Sequence, residues 1–106
     1  MFTAVLVGCG AMSARWIDAA KQIDGVAIVG LVDVDEARAT ARAAEFGLTD
    51  IAVGSDLRGM LATIRPDILF DVAVPAARRD VAIAGLEAGC HVLTEKPLAA
   101  SLEDAR

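Results

Sequence analysis

The sequence predicts a single α/β domain, residues 1–106, built on a doubly wound parallel sheet of about five strands. Continuous apolar runs alternate with helical stretches along the chain, and this alternation is typical of strand–helix–strand units. The longer runs carry apolar residues at successive positions, as expected for strands that helices cover on both faces. A length of 106 residues fits one domain and suffices for one hydrophobic core.

The first half of the chain contains three predicted strands and two predicted helices. The strands are expected at residues 2–7, 26–32 and 51–53. Apolar residues between Ala14 and Ile23 recur at helical spacing, and Gly25 ends this first helix. A second helix is predicted to begin at an N-cap residue, Asp35, and to stop at Gly47.

The second half continues the same alternation. Ser55 or Asp56 is expected to cap a third helix. Its apolar face runs from Leu57 to Ile64, and the helix cannot continue through Pro66. The remaining elements are a strand at 67–74, a helix around Gly85 that stops at Gly89, and a strand at 91–94. Right-handed crossovers between five such strands give the order 3-2-1-4-5, which is that of a Rossmann-type sheet.

The C-terminal residues predict a structure that the chain does not complete. Ser101 to Asp104 has the spacing of a capping box, which marks the start of a helix, yet the sequence stops at Arg106. A helix of one turn is not stable by itself. We therefore expect the chain to be the N-terminal part of a longer polypeptide, truncated before a sixth strand. The alternative is a frayed natural tail.

The composition argues against several classes of protein. Fifteen acidic residues against ten basic ones give a net charge of −5, so no dense basic surface is expected to bind nucleic acid. The longest apolar stretch, residues 26–32, is far shorter than the roughly 18 residues that a membrane span needs. Cys9 and Cys90 have neither disulfide-motif nor metal-ligand spacing. We expect a reduced, cytoplasmic protein without a metal site.

A glycine-rich segment lies where the first strand turns into the first helix. It consists of Gly8, Cys9, Gly10, Ala11, Met12 and Ser13. At such a junction the backbone N–H groups and the helix dipole bind the pyrophosphate of a dinucleotide. Gly8 is expected to allow the tight turn and Gly10 to let a phosphate approach the backbone. Ser13 replaces the usual third glycine, which we expect to widen the helix–strand contact slightly. The alternative is a tight turn without a ligand.

An acidic residue follows the second strand at the spacing that this fingerprint requires. Asp33, 20 residues after Ser13, is expected to accept hydrogen bonds from the adenosine ribose. Its carboxylate favours NAD because it repels the 2′-phosphate of NADP, although Arg38 leaves NADP open. A solvated strand end or a helix cap is the alternative role. Enzymes that use S-adenosylmethionine also have a glycine-rich turn after the first strand and an acidic residue after the second. These residues alone therefore do not identify the cofactor.

The segment after the fifth strand makes the sequence recognisable. Four segments carry the resemblance: Val7 to Gly10, Asp33, Val74-Pro75 and Glu87 to Leu98. Over its whole length the chain resembles the N-terminal domain of the Gfo/Idh/MocA oxidoreductases, the family of glucose-fructose oxidoreductase and inositol dehydrogenase. The resemblance implies that NAD, or NADP, binds here. It also implies hydride transfer between this cofactor and a sugar, polyol or similar hydroxylated small molecule.

The same resemblance implies roles for individual residues near the carboxyl edge of the sheet. Implied cofactor contacts outside the glycine-rich segment are Asp33, Val74, Pro75, Arg78, Glu95 and Lys96. Lys96 is the implied catalytic residue, which positions or polarises the reacting hydroxyl, and its peptide bond to Pro97 is expected to be cis. Arg78 stands where the family commonly has a histidine. Otherwise Arg78 and Arg79 are interpreted as a solvated helix start.

The resemblance and the strand order also predict what the chain lacks and how it assembles. The family's acid–base Asp and His would lie in a substrate domain beyond this chain, so the chain alone should bind nucleotide without catalysing a reaction. Trp16 and His91 are both expected to pack rather than to act chemically. The bare edge of strand five should favour a homo-oligomer. A non-catalytic nucleotide-sensing module is the alternative function, and a methyltransferase is a further one that leaves residues 95–97 without a role.

Overall fold

Five strands alternate with four helices in the computed structural model, which describes residues 2–10 and 12–94. The strands are β1 (Phe2–Val7), β2 (Val26–Val32), β3 (Ala52–Gly54), β4 (Ile68–Asp71) and β5 (His91–Thr94). The helices are α1 (Ser13–Lys21), α2 (Glu36–Glu45), α3 (Leu57–Ile64) and α4 (Pro75–Glu87). The predicted capping box at 101–104 and the predicted cis peptide at 96–97 lie outside the described residues.

The five strands are parallel and lie in the order β3-β2-β1-β4-β5, which confirms the order predicted from the sequence. Val7, at the end of β1, lies opposite Val32 of β2 and Asp71 of β4. Asp71 in turn lies opposite Thr94 of β5. The carboxyl ends of four strands therefore meet at one edge of the sheet, where open α/β sheets bind their ligands.

Helices cover both faces of the sheet, and successive residues of β1 point into the two cores. Leu6 packs in the core on the side of α1 and α2, together with Ile17 and Ala39. Val5 packs in the core on the side of α3 and α4, together with Leu61. Because the side chains of a strand alternate between faces, a strand that is apolar throughout needs two apolar partners. The sheet is thus doubly wound, as predicted.

Two helices begin at the aspartates that the sequence indicates. The carboxylate of Asp35 accepts a hydrogen bond from the Ala37 N–H (3.1 Å) and caps α2. The carboxylate of Asp56 accepts one from the Gly59 N–H (3.1 Å), so Asp56 and not Ser55 caps α3. In each case the side chain satisfies an N–H group that has no partner within its helix.

The boundaries of two strands differ from the prediction. β4 ends at Asp71, whereas the apolar pattern predicted a strand over residues 67–74. The Asp71 carboxylate accepts a hydrogen bond from the Ala73 N–H (3.2 Å), which turns the chain out of the sheet. Residues 72–74 are therefore an apolar connection to α4 and not part of the strand. β3 lies one position later than residues 51–53.

Trp16 and His91 have different environments. The Trp16 ring lies 5.4 Å from the Phe70 ring and packs against the core beneath α1, which confirms its predicted place. His91 is exposed, so the prediction that it packs is wrong. β5 lies at the end of the strand order, and its side chains at His91 and Leu93 face outward from the described residues.

Candidate functional site

The glycine-rich segment forms a sharp turn between β1 and α1. Gly8 has a φ of +96°, a conformation that residues with a side chain rarely adopt. A Cβ atom at this position would also lie 2.5 Å from the Val72 carbonyl oxygen. The Gly8 N–H donates to the Val32 carbonyl (2.8 Å). Only glycine fits a position held between the ends of β2 and β4 in this way.

Asp33 is buried at the end of β2 and ties that strand to the turn. Its Oδ2 accepts a hydrogen bond from the Cys9 N–H (2.7 Å), and its Oδ1 accepts one from the Asp35 N–H (2.8 Å). Asp33 is therefore not a solvated strand end, and the helix cap is Asp35. Nη1 of Arg38 lies 4.0 Å from Oδ2. Each carboxylate oxygen retains a lone pair that can accept a further hydrogen bond.

Cys9 contributes its backbone and not its thiol to this arrangement. The sulfur is buried and lies 3.7 Å from the Val32 carbonyl. Burial, together with the negative charge of Asp33, raises the pKa of the Cys9 thiol to about 11, so the thiol is neutral at physiological pH. Because the Cys9 N–H is bonded to Asp33, it is not available to a phosphate.

Two other amides of the turn are available. Within residues 2–10 and 12–94, the N–H groups of Gly10 and Met12 have no hydrogen-bond acceptor. Nothing lies within 4 Å of the place where a Cβ of Gly10 would stand, so its backbone can be approached closely. Both amides lie at the N-terminal end of α1, where the helix dipole favours negative charge.

Ser13 fits the position of the third glycine through a hydrogen bond. Its side chain is fully buried, and its hydroxyl donates to the Gly10 carbonyl (2.6 Å). The Ser13 N–H donates to the same carbonyl (3.1 Å). A buried hydroxyl is costly only when it has no partner, so serine is tolerated here.

A cleft of about 160 Å³ opens beside the turn at the carboxyl edge of the sheet. One part of its wall is polar and includes Gly10, Asp33 and Arg38. The other part is apolar and includes Val34 and Val74, which are 95% and 67% exposed. A larger cavity of about 360 Å³ lies between α3 and α4, but it is lined by none of the predicted site residues. The smaller cleft is therefore the candidate site.

Arg78 is buried at the start of α4, so its interpretation as part of a solvated helix start is wrong. Only 7% of the residue is exposed, and its Nε and Nη2 donate to the Ala73 carbonyl (3.3 and 3.1 Å). The guanidinium therefore folds back onto the connection that carries Val74. Arg79, the next residue, is exposed.

Three residues of this region were not identified from the sequence. Val34 comes shortly after the apolar run of β2, and Asp71 ends β4. Their positions at the carboxyl edge could have identified both from the sequence. Arg42, on α2, donates from Nη2 to the Gly10 carbonyl (3.0 Å). No pattern in the sequence indicates this contact, because it joins residues 32 positions apart.

The structure brings most of the predicted site residues together. Four of them line the cleft: Gly8, Gly10, Asp33 and Val74. Cys9 is hydrogen-bonded to Asp33, and Ser13 is hydrogen-bonded to Gly10. Pro75 begins α4 directly after Val74. Ala11, Glu95 and Lys96 lie outside the described residues. In the part of the chain that is described, no three metal-binding side chains cluster, and no helix is long and apolar enough to cross a membrane.

The chain is similar to known oxidoreductases. Residues 2–106 match the Gfo/Idh/MocA family, which is described as an oxidoreductase family with an NAD-binding Rossmann fold. The chain is 34% identical over 105 residues to the D-apiose dehydrogenase of Paraburkholderia graminis, covering 99% of this chain and 28% of that protein. It is 32% identical over 99 residues to inositol 2-dehydrogenase 2 of Saccharopolyspora erythraea, covering 92% of this chain and 29% of that protein.

Solved structures give the same picture. The myo-inositol dehydrogenase from Lactobacillus casei, in complex with NAD(H) and myo-inositol, superimposes with a TM-score of 0.84 at 27% identity. The match covers 92% of this chain and 29% of that one. The WlbA dehydrogenase from Bordetella pertussis, in complex with NADH and UDP-GlcNAcA, superimposes with a TM-score of 0.79 at 33% identity. This match covers 89% of this chain and 29% of that one. The chain thus spans less than a third of the length of these relatives.

Proposed function

The chain belongs to the Gfo/Idh/MocA oxidoreductase family with the NAD-binding Rossmann fold, and from this premise we propose that its cleft binds the adenosine diphosphate half of NAD. The complete protein would transfer hydride between the nicotinamide and a hydroxylated small molecule such as a sugar or polyol. One observation carries the proposal: Gly10, whose amide has no acceptor in the described residues, and the buried carboxylate of Asp33 line one cleft at the N-terminal end of α1.

The glycine-rich turn is proposed to bind the pyrophosphate. The Gly10 and Met12 N–H groups are hydrogen-bond donors without acceptors in the described residues, and the open space at Gly10 admits a phosphate oxygen. The dipole of α1 adds a favourable interaction with negative charge at this end of the helix. Cys9, by contrast, acts by holding the turn against Asp33.

The adenosine is proposed to lie between the polar and apolar walls of the cleft. Asp33 has acceptor capacity left for the ribose hydroxyls. Val34 and Val74 offer exposed apolar surface for the faces of the adenine ring. The charge of Asp33 disfavours a 2′-phosphate, so NAD is the proposed cofactor. NADP is the second candidate because Arg38, whose guanidinium lies beside Asp33, is exposed and can pair with a phosphate.

The reacting end of the site is proposed from the family match. When bound, NAD supplies the hydride acceptor, and the protein supplies binding and orientation. Lys96 is proposed to hold the reacting hydroxyl, with Glu95, Pro75 and Arg78 near the nicotinamide. Hydroxylated substrates are supported by relatives named as dehydrogenases of D-apiose and of inositols. We further propose a cytoplasmic location, which the buried, unbridged thiols of Cys9 and Cys90 support, and self-association of the chain.

The proposed binding can be tested by calorimetric titration of the chain with NADH, NADPH and S-adenosylmethionine. We expect NADH to bind most tightly. The variant Asp33→Asn keeps the size of the side chain but removes its charge, so the preference for NADH over NADPH should shrink by roughly tenfold. Arg58→Leu, far from the cleft on α3, serves as the control. Binding of S-adenosylmethionine in place of either nicotinamide cofactor would refute the proposal.

A further inference from the structure

One side chain reaches the glycine-rich turn from a separate helix. Arg42, in the last turn of α2, donates from Nη2 to the carbonyls of Gly10 (3.0 Å) and Cys9 (3.5 Å). Its Nη1 donates to the carboxylate of Glu45 (2.8 Å), which orients the guanidinium. The side chain is only 17% exposed. Arg42 therefore bridges α2 and the turn.

The Gly10 carbonyl is the point where these contacts meet. It accepts hydrogen bonds from the Ser13 N–H (3.1 Å), the Ser13 hydroxyl (2.6 Å) and Arg42 Nη2 (3.0 Å). The two bonds from Ser13 arise within the turn and α1, whereas the bond from Arg42 comes from outside them. A bond from a charged donor is roughly twice as strong as one between neutral groups. Asp33 holds the start of the turn through the Cys9 N–H (2.7 Å), and the bond from Arg42 holds its next residue, Gly10, to a separate helix.

This contact bears on the direction of the Gly10 amide. A peptide group is planar, and its N–H points opposite to its C=O. The carbonyl of Cys9 faces Arg42, so the N–H of the same peptide, which belongs to Gly10, points away from α2. That N–H has no acceptor in residues 2–10 and 12–94, and Gly10 lines the cleft. Because glycine has wide conformational freedom, a side chain that bonds the carbonyls on both sides of this amide narrows the orientations that it can take.

We propose that Arg42 is a positioning residue for pyrophosphate binding. Its guanidinium holds the carbonyls of Cys9 and Gly10, and thereby keeps the Gly10 N–H directed at the phosphate site. The guanidinium is already bonded to two carbonyls and to Glu45, so it acts through the turn and not by contact with the nucleotide. A donor that is ordered before binding costs less conformational entropy when the ligand binds. The inference rests on the proposed nucleotide-binding function.

Two ligands separate this role from general support of the fold. ADP-ribose carries the pyrophosphate, whereas adenosine carries only the base and one ribose. In NMR titrations of the chain, Arg42→Leu should weaken ADP-ribose binding by roughly tenfold and change adenosine binding by less than about twofold. Arg42→Lys restores a charged donor and should recover most of the lost affinity. Arg58→Leu removes an exposed arginine that pairs with Glu87, and should leave the affinity for both ligands unchanged.

The outcomes are distinguishable. Equal losses for both ligands, or no loss for ADP-ribose, would overturn the role of Arg42. If the wild-type chain binds neither ligand, the proposed function fails, and ¹⁵N relaxation then decides the inference. Arg42→Leu should increase the mobility of the Gly10 amide while Arg58→Leu leaves it unchanged, and unchanged mobility in both would refute the positioning role. If Arg42→Leu does not fold, Arg42→Lys provides the test. It should bind ADP-ribose more weakly than the wild type, by less than about tenfold, and bind adenosine equally well.

Discussion

At the scale of single residues, Gly8 and Gly10 meet different constraints within one turn. Gly8 has a positive φ, and an added Cβ would collide with the Val72 carbonyl. Gly8→Ala should therefore lower the free energy of unfolding by about 2 to 4 kcal/mol, from backbone strain and overpacking together. Gly10→Ala meets open space, so it should leave stability nearly unchanged and instead obstruct the approach of a phosphate. Urea denaturation and NADH titration of the two variants measure these effects.

The pair provides its own control, because the two substitutions add the same methyl group. A Gly10→Ala variant that loses as much stability as Gly8→Ala would contradict the geometry of the turn. Full NADH affinity in a folded Gly10→Ala variant would contradict the placement of the pyrophosphate.

The buried thiol of Cys9 should make the stability of the fold depend on pH in the alkaline range. The thiol has an ordinary pKa of 9.0, and burial followed by the charge of Asp33 raises its pKa to about 11 in the folded protein. The unfolded chain therefore loses this proton first, so the stabilising contribution is complete below pH 9 and is lost as pH rises toward 11. Between these values the free energy of unfolding should fall by up to about 1.4 kcal/mol per pH unit more than in Cys9→Ala.

Denaturation in urea at pH 8, 9, 10 and 11 measures this slope. The pKa of Cys90 is also raised by burial, but Cys90 is present in both proteins and cancels in the comparison. Parallel pH profiles for wild type and Cys9→Ala would show that the Cys9 thiol is accessible to solvent in the folded chain.

The sequence predicted some of these residues and not others, for a physical reason. Gly8 and Asp33 follow strands that are visible as apolar runs, so their place at the carboxyl edge could be inferred. The contact of Arg42 with Gly10, and the burial of Arg78 against Ala73, depend on where a long side chain folds after the backbone is in place. Arginine can extend into solvent or turn back, and no local pattern distinguishes the two.

At the scale of elements, α4 packs unusually close to the sheet at Gly85. A Cβ atom there would lie 2.6 Å from Leu69 Cδ2 and 2.7 Å from Val92 Cγ2. Alanine favours a helix by about 1 kcal/mol over glycine, so propensity alone predicts that Gly85→Ala stabilises α4. We expect the opposite, a net loss of about 1 to 2 kcal/mol, because Leu69 is fully buried and cannot move aside freely. A raised melting temperature in calorimetry would show that the helix can shift outward.

The ends of the elements show which local signals suffice. Asp35 and Asp56 cap their helices through their own side chains, so a short-range rule located both helix starts. The end of β4 was missed because Val72 and Val74 are apolar like the strand before them. It is set by the bond from the Ala73 N–H to the Asp71 carboxylate, and the same turn leaves Val74 exposed beside the cleft. Hydrophobicity alone cannot separate a buried strand from an apolar connection that forms a binding wall.

At the scale of the whole molecule, the site results from the strand order. β1 lies between β2 and β4, so the segments that follow these three strands meet although they are distant in sequence. Right-handed crossovers made this order predictable, and with it the meeting of Gly8, Asp33 and Val74. Acidic side chains outnumber basic ones in the chain, yet Arg38 and Arg42 of α2 lie beside the cleft and the turn. Each of these arginines lies beside an acidic side chain, Asp33 for Arg38 and Glu45 for Arg42, so positive charge is held at the site although the chain as a whole is acidic.

The same strand order makes a prediction about assembly. Among the described residues β5 pairs only with β4, so its other edge presents unpaired N–H and C=O groups to a second copy of the chain. The exposed Leu93 on this strand adds apolar surface. We expect the chain to self-associate, and expect Leu93→Lys to oppose this because a charge on an edge strand disfavours pairing. Size exclusion coupled to light scattering measures the mass at protein concentrations that span about a hundredfold. The mass of the wild type should rise with concentration, whereas that of Leu93→Lys should stay constant. A constant monomer mass for both proteins would show that the β5 edge is not an interface between copies.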